Sequence, residues 1–384
     1  MKFFIPLIAS AIVLTAPAIA SAQAAPSPAP VASPAASPSP APTPTPKPFQ
    51  LSGFGDVGLI SASASGPNGV VSNRVFDTLD KRPQFHNLNL QAAYVGTIGG
   101  KVELSFGDDA DVINSYPKFG ANSQVDITQA YASFTQGKFT LIGGKFETLA
   151  GAEVIESPSD LNFSRSFLFG LAVPFTHTGG RLTYAATDKL SLIVGLNKGW
   201  DTTKTISANG DNNRLTTELG LAYNPTSAIS LTAQGYNGTV AVADPAANRK
   251  RSLVDIVGTY HFNPNLQAVI NFDSGSETNF GLSTGGIGTA TWNGIAGYIS
   301  DNITPKLAAT LRAETFTDKG GSRTGTDQVL KEATLTFAYT INPNVILRLE
   351  GRKDRSNQST FALSSGLTRS YNDTIGFETL VKFP

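Results

Sequence analysis

The chain has 384 residues, with 29 lysines and arginines balanced by 29 aspartates and glutamates, three histidines and no cysteine. The lack of cysteine excludes a disulfide scaffold, thiolate metal centres and cysteine nucleophiles. A neutral charge without a basic run argues against nucleic acid as a partner, because that partner needs clustered cations. The mean hydropathy is close to zero, which fits a soluble protein and also a membrane β-barrel, whose alternation dilutes the apolar residues.

Residues 1–22 have the features of a secretory signal peptide. Lys2 supplies a positive start, an apolar stretch follows, and the small residues Ala20-Ser21-Ala22 offer a cleavage site. Two prolines interrupt the apolar stretch, which disfavours a permanently spanning helix as the alternative. The segment therefore predicts export through a cleaved N-terminal signal.

Residues 23–48 form a second segment that cannot build a packed core. Within it, residues 26–48 hold ten prolines in 23 positions, interleaved with alanine, serine and threonine. Such a sequence favours a disordered, extended polyproline II linker. We expect a spacer, and a specific contact with the cell wall is the alternative that remains open.

The remaining residues, 49–384, alternate between apolar and polar positions in sixteen segments, as half-buried strands do. In one of them, Leu307 and Leu311 share a face, whereas Arg312 and Glu314 share the opposite one. No stretch after the signal is apolar over the roughly 18 residues that a membrane helix needs. The segments are residues 49–61, 85–98, 100–108, 124–136, 137–147, 175–187, 189–199, 214–223, 228–239, 251–262, 265–274, 289–299, 305–317, 329–340, 344–355 and 371–383.

The connections between these segments alternate between short and long. Seven short ones carry tight-turn residues, at Gly99-Gly100, Gln136-Gly137, Asp188, Asn224-Pro225, Asn263-Pro264, Thr304-Pro305 and Asn342-Pro343. Eight long ones lie near 62–84, 109–123, 148–174, 200–213, 240–250, 275–288, 318–328 and 356–370. An outer-membrane barrel has this layout, with short periplasmic turns and long outer loops. The pattern predicts an all-β fold, a transmembrane antiparallel up-and-down β-barrel of about 16 strands.

The two faces of the predicted strands differ in chemistry. An aromatic girdle is expected near the short-turn end, formed by Tyr94, Phe134, Tyr184, Tyr223, Phe262, Tyr298, Tyr339 and Phe383. The charged residues expected to face a water-filled lumen are Asp56, Glu103, Arg181, Glu218, Asp255, Asp273, Arg312, Glu314, Glu332, Arg348, Glu350, Arg352 and Glu378. Lys145 and Lys331 have outward parity near loop ends, where we expect them to snorkel.

Residues 143–179 carry a more specific signal. The matching positions are Gly144, Lys145, Phe146, Gly151, Glu153, Asn162, Phe163, Ser164, Arg165, Ser166, Pro174, Phe175, Thr176, His177, Thr178 and Gly179. This stretch resembles the OmpL-like β-barrel porin-2 family of bacterial outer membranes. The resemblance implies a porin, which lets small hydrophilic solutes and ions diffuse passively through a water-filled channel. One departure is the C-terminus, where Pro384 follows Phe383, whereas outer-membrane barrels usually end in an aromatic residue.

Residues 148–174 form the longest connection. General porins fold their third outer loop into the barrel, so by analogy we expect a constriction loop here, with a solvated outer loop as the alternative. Its charges are Glu147, Glu153, Glu156 and Asp160 against Arg165. Basic pore-lining candidates on the wall are Arg181, Arg312, Arg348 and Arg352. Facing the loop, Arg312, Arg348 and Arg352 would create a transverse field. We expect His177 to fix the return of the loop into the sheet.

The remaining candidate sites are weak. Asp108, Asp109 and Asp111 lack the spacing of an EF-hand, so we expect a solvated loop and no metal site or cofactor. The three histidines lack a nearby nucleophile motif, which argues against a barrel enzyme. A structural or adhesive barrel, tethered through the proline-rich segment, remains the alternative function. The expected partners are outer-membrane lipid, small hydrophilic solutes and, by analogy, two further copies in a homotrimer.

Overall fold

The computed structural model describes residues 48–115, 124–203, 215–239 and 249–383. The expected signal peptide, residues 1–22, and residues 23–47 of the expected linker lie outside the described residues. Within the described ranges, the helices are too short or too polar to cross a membrane.

Eighteen strands and one short α-helix lie in these ranges. The strands are β1 Phe49–Ala62, β2 Gln84–Tyr94, β3 Ile98–Phe106, β4 Val125–Gln136, β5 Phe139–Glu147, β6 Thr176–Ala185, β7 Leu190–Asn197, β8 Thr216–Thr226, β9 Ile229–Thr239, β10 Lys250–His261, β11 Leu266–Gly281, β12 Ile287–Thr304, β13 Leu307–Lys319, β14 Gln328–Asn342, β15 Val345–Ser356, β16 Phe361–Ala362, β17 Thr368–Arg369 and β18 Tyr371–Phe383. The helix, α1, is Asp108–Ile113. It follows β3, where the sequence predicted a solvated loop.

Sixteen of these strands form a closed antiparallel barrel, which confirms the predicted fold. Strands β1 to β15 pair in chain order, β15 pairs with β18, and β18 pairs with β1. At the closure, Gly53 of β1 lies opposite Phe383 of β18. The two remaining strands, β16 and β17, form a small hairpin in the last long connection. Closure gives every barrel strand two hydrogen-bonded neighbours, which is what a sheet in lipid requires.

Three connections differ from the sequence prediction. Asn224 and Pro225, expected in a short turn, belong to β8, and the turn lies at residues 227–228. The turn between β2 and β3 lies at residues 95–97, and Gly99 and Gly100 belong to β3. A Cβ at Gly99 would lie 2.6 Å from the carbonyl oxygen of Tyr94, so these glycines permit close strand contact instead of forming the turn. The loop predicted at 275–288 shrinks to residues 282–286, because β11 and β12 continue into it.

The predicted faces agree with the structure at almost every charged position. All thirteen charged side chains that were expected to face the lumen are buried within the barrel. Lys145 differs from its prediction, because it is buried and its amine lies 2.9 Å from a carboxylate oxygen of Asp126. One prediction for the aromatic girdle is wrong. Tyr298 points inward and is 3% exposed, whereas its neighbour Ile299 is 55% exposed.

An apolar core lies inside the barrel towards the long-loop end. The connection between β5 and β6 contributes Phe167, Phe169 and Phe175 to it, and the wall contributes Trp292 and Phe316. These side chains are almost fully buried. Protein therefore fills part of the lumen at this level, whereas the sequence predicted a lumen lined by polar side chains alone.

Candidate functional site

The connection between β5 and β6, residues 148–175, runs inside the barrel and is called the inner loop below. It contains a 3-10 turn at Ser157–Ser159 and a π-helical turn at Leu168–Ala172. Buried backbone groups need hydrogen-bond partners, and much of this segment has no strand beside it. Charged side chains of β13 and β15 supply many of these partners.

Wall arginines donate hydrogen bonds to carbonyl oxygens of the inner loop. Arg348 donates to the carbonyls of Ser157, at 3.1 Å, and Asp160, at 2.5 Å. Arg312 donates to the carbonyl of Ser164, at 2.6 Å. Arg352 donates to the carbonyl of Arg165, also at 2.6 Å. Three of the four wall arginines predicted as pore-lining candidates, Arg312, Arg348 and Arg352, therefore hold the main chain of the inner loop.

Wall glutamates accept hydrogen bonds from the amides of the same loop. Glu350 accepts from the amides of Phe163, at 2.8 Å, and Ser164, at 3.1 Å. Glu314 accepts from the amides of Phe167 and Leu168, at 2.5 and 3.1 Å. Sequence reasoning placed both glutamates on the inner face but missed this anchoring role. In the sequence, Glu314 and Glu350 were marked only by a mid-strand position on the inward-facing side of the alternation.

At Glu153 and Asp160 the structure has direct ion pairs instead of the predicted transverse field across a water-filled pore. Glu153 touches Arg312 directly, with 2.6 Å between carboxylate oxygen and guanidinium nitrogen. Asp160 pairs with Arg165 at 2.8 Å inside the loop. Short buried pairs of this kind fix a conformation, so these charges hold the loop and do not face each other across a pore.

Four charged side chains meet at the opposite side of the inner loop, next to β3 and the end of β5. Lys101 lies 2.7 Å from Glu103 and 3.8 Å from Glu156. Carboxylate oxygens of Glu103, Glu147 and Glu156 lie within 4.8 Å of one another. The side chains of Lys101 and Glu156 are 18% and 14% exposed, so this group, the acidic tip, keeps contact with water.

The acidic tip combines excess negative charge with partial burial. Burial, together with the carboxylate of Glu103, raises the pKa of Glu156 to about 7. Asn89 and Gln129 donate to Glu103 at 2.7 and 2.8 Å. Asn89, Gln129 and Lys101 already bind the oxygens of Glu103. The acidic tip therefore fits a charged lining of the lumen better than a metal site.

Arg181 lies on another part of the wall, on β6. Its guanidinium pairs with Glu218 at 2.9 Å and lies 4.4 Å from the ring centre of Phe146. It also donates to the carbonyl of Glu147 at 3.2 Å. Arg181 therefore supports the start of the inner loop.

The segment Pro174–Gly179 carries the end of the inner loop into β6. Amides of Phe175 and Thr176 both donate to Asp201 at 2.8 Å, and Thr178 accepts from the amide of Lys198 at 2.9 Å. Asp201 is a further anchor that sequence reasoning missed. Pro174 is buried immediately before these bonds begin.

His177 is fully buried beside this junction. Its ring stacks on Tyr236 with 4.7 Å between centroids, and its Nδ1 lies 3.4 Å from the carbonyl oxygen of Gly199. Gly179 has no space for a side chain, since an added Cβ would lie 2.2 Å from the carbonyl of Leu196. These contacts favour the positioning role expected for the histidine.

Comparisons with known proteins match this architecture. The family model described as "Putative beta-barrel porin-2, OmpL-like" matches residues 48–383. No curated protein matches the chain.

Several solved structures share the fold at low sequence identity. The outer membrane channel DcaP of Acinetobacter baumannii is 15% identical, with 87% of this chain and 97% of that chain covered and a TM-score of 0.60. The anion-selective porin from Comamonas acidovorans is 11% identical, with 87% and 99% covered and a TM-score of 0.61. OmpT of Vibrio cholerae in its trimer form is 12% identical, with 87% and 99% covered and a TM-score of 0.56.

Proposed function

Because the chain belongs to the OmpL-like β-barrel porin-2 family, it is a porin of the outer membrane, and we propose where solutes pass through it. Small hydrophilic solutes and ions diffuse through the lumen beside the inner loop, at the acidic tip. The observation that carries this proposal is the water contact of Lys101 and Glu156, in a barrel whose other described inner-face charges are largely buried.

The charge of the acidic tip determines whether the path prefers cations or anions. Lys101 offsets one of the three carboxylates of Glu103, Glu147 and Glu156, which leaves an excess of negative charge when all are ionised. Rings of carboxylates favour cations in pores. We therefore expect a preference for cations, unlike the anion selectivity stated for the porin from Comamonas acidovorans.

We further propose that three copies assemble in the membrane. The support is the trimer form in which OmpT of Vibrio cholerae was solved. Cross-linking in outer-membrane vesicles, followed by electrophoresis without heating, should give a band at three times the monomer mass. A monomer band alone would contradict the assembly without touching the proposed path.

The test of the function is conductance in planar lipid bilayers. The refolded protein should insert with uniform current steps, and a salt gradient should give a reversal potential of the sign that cation preference requires. The same protein unfolded by heat serves as the control and should give no steps. Insertion without conductance would favour the structural or adhesive alternative, and an opposite reversal potential would remove the acidic tip from the path.

A further inference from the structure

The outer wall of β14 and β15 carries cations at its long-loop end. Lys331 shares the outward face of β14 with Leu335, and Lys353 shares that of β15 with Leu349. Arg355 follows Lys353 on the same face and lies directly opposite Lys331 in the pairing of the two strands. All three cations are exposed.

Strands β17 and β18 extend this group, the outer cationic patch. The guanidinium of Arg369 lies 4.1 Å from the ring centre of Tyr371, and that of Arg355 lies 5.3 Å from the same ring. Asp373 pairs with Arg355 at 2.8 Å. Four cations therefore share one acid among the described residues of the patch, which leaves it strongly positive.

The height of the patch matters as much as its charge. Below it, the same outward faces carry apolar side chains, with Ile375 64% exposed, Leu349 53% and Leu335 43%. Apolar side chains at this exposure face acyl chains in a membrane barrel. Because long loops point away from the cell, the cations lie at the level of the outer-leaflet headgroups.

An apolar groove of about 610 Å³ lies directly beneath the patch. Leu311, Ala333, Gly351 and Ile375 line it, and Lys353 borders it. Gly351 forms an open position, because a Cβ added there would meet no atom within 4 Å. The groove therefore has room for part of an acyl chain whose headgroup contacts the cations.

We propose that this face binds a phosphorylated, multiply acylated glycolipid of the lipid A class in the outer leaflet. Its phosphates contact Lys331, Lys353, Arg355 and Arg369, and one acyl chain occupies the groove. Cations on β14, β15 and the small hairpin can engage two phosphates at once, and charge-assisted bonds to phosphate are strong. A second copy of the chain fits less well, because it would have to bury these exposed charges.

The charge contribution can be measured by native mass spectrometry of the purified protein in detergent with bisphosphorylated lipid A. The double variant Lys331→Gln and Lys353→Gln should weaken lipid A binding at least tenfold. The matched control is Lys189→Gln with Lys306→Gln, two exposed lysines in short turns at the opposite end. The control should bind within twofold of the original protein.

The groove contribution needs its own pair of variants. Gly351→Leu should fill the groove and weaken binding at least fivefold. Gly297→Leu is the matched control, because its added Cβ also meets nothing within 4 Å and it lies on β12, away from the patch. Monophosphorylated lipid A should bind more weakly than the bisphosphorylated form.

Three results would overturn the proposal. Unchanged lipid A binding in the double lysine variant removes the patch. Equal binding of phosphatidylglycerol, with the same loss in the variants, assigns the face to anionic phospholipid in general. Loss of an oligomer in Gly351→Leu, with lipid A binding retained, assigns the face to a second copy. Unaltered conductance of every variant would show that they are folded.

Discussion

Glu153 and Glu156 lie three residues apart in the inner loop, yet their surroundings differ completely. Glu153 is 4% exposed and paired with Arg312, whereas Glu156 keeps contact with water beside Lys101. Their sequence context does not separate them, because the partners are supplied by distant strands. Sequence alone therefore predicted that both contribute to one transverse field, whereas in the structure Glu153 holds the loop and Glu156 keeps contact with water.

Neutralising Glu156 is expected to lower the cation preference of the channel. At pH 8.5, where Glu156 is ionised, Glu156→Gln removes one charge from the acidic tip, so the reversal potential in a salt gradient should move towards zero. Asp188→Asn, in an exposed short turn, is the control and should leave the reversal potential unchanged. An unaltered potential in the Glu156 variant would remove this side chain from the path.

The same residue predicts a pH dependence. With a pKa of about 7, Glu156 is ionised at pH 8.5 and protonated at pH 5.5, so cation preference should fall as the pH falls through about 7. Reversal potentials at several pH values measure this change. In Glu156→Gln the change through this window should be much smaller. Equal profiles for both proteins would contradict the assignment.

Gly179 and Gly180 offer a test of the junction between inner loop and β6. Gly179→Ala should lower the free energy of unfolding by roughly 1–3 kcal/mol, as overpacking does, because its Cβ would lie 2.2 Å from the carbonyl oxygen of Leu196. Gly180→Ala is the control, with its nearest atom, a carbonyl oxygen of Ile142, at 3.7 Å. Urea unfolding in micelles compares them, and equal midpoints would contradict the prediction.

At the scale of the element, the strands were predictable and the position of the inner loop was not. Alternation with a period of two identifies a strand from its own residues, without knowledge of its neighbours. Docking of the inner loop depends on bonds such as that between Phe167 and Glu314, which are 147 residues apart. Only an analogy with other porins suggested that this loop enters the barrel.

Weakening the anchors should release the inner loop. Combining Glu314→Gln with Glu350→Gln replaces one accepting oxygen of each side chain by an NH2 donor. Two of the four loop amides then lose their acceptor, at roughly 1–3 kcal/mol for each donor left unpaired. Single-channel recordings should then show larger and noisier currents. Glu277→Gln is the control, because this buried glutamate pairs with Arg249 and Arg251 instead of the loop. Quiet currents of unchanged size would indicate that other contacts hold the loop.

At the scale of the whole molecule, closure follows from the need of every strand in lipid for two hydrogen-bonded neighbours, and the even count of alternating segments is consistent with it. The sequence therefore predicted the barrel, its lumen-facing charges and the alternation of short and long connections. It did not predict the apolar core inside the barrel, because Phe169 and Trp292 come from segments that lie far apart in the chain and meet only after closure. It also could not orient Tyr298, whose strand has two similar faces.

Residues 23–46 precede the family match, which begins at residue 48, so their deletion should leave the channel intact. The shortened protein should refold with the same unit conductance as the full chain. A peptidoglycan pull-down of both proteins tests the cell-wall contact, with binding expected to be equally low for a spacer. Peptidoglycan binding that is lost on deletion would support the tethering alternative.

The barrel wall holds the inner loop largely through hydrogen bonds to its peptide groups. Wall arginines donate to its carbonyl oxygens, and wall glutamates accept from its amides. Every amino acid except proline offers the same two groups. Side chains of that segment that lie outside the buried core and its ion pairs can therefore be exchanged without loosening its placement. Substitutions at such positions of the inner loop can change which solutes pass, while the sixteen-stranded barrel that holds the loop is unchanged.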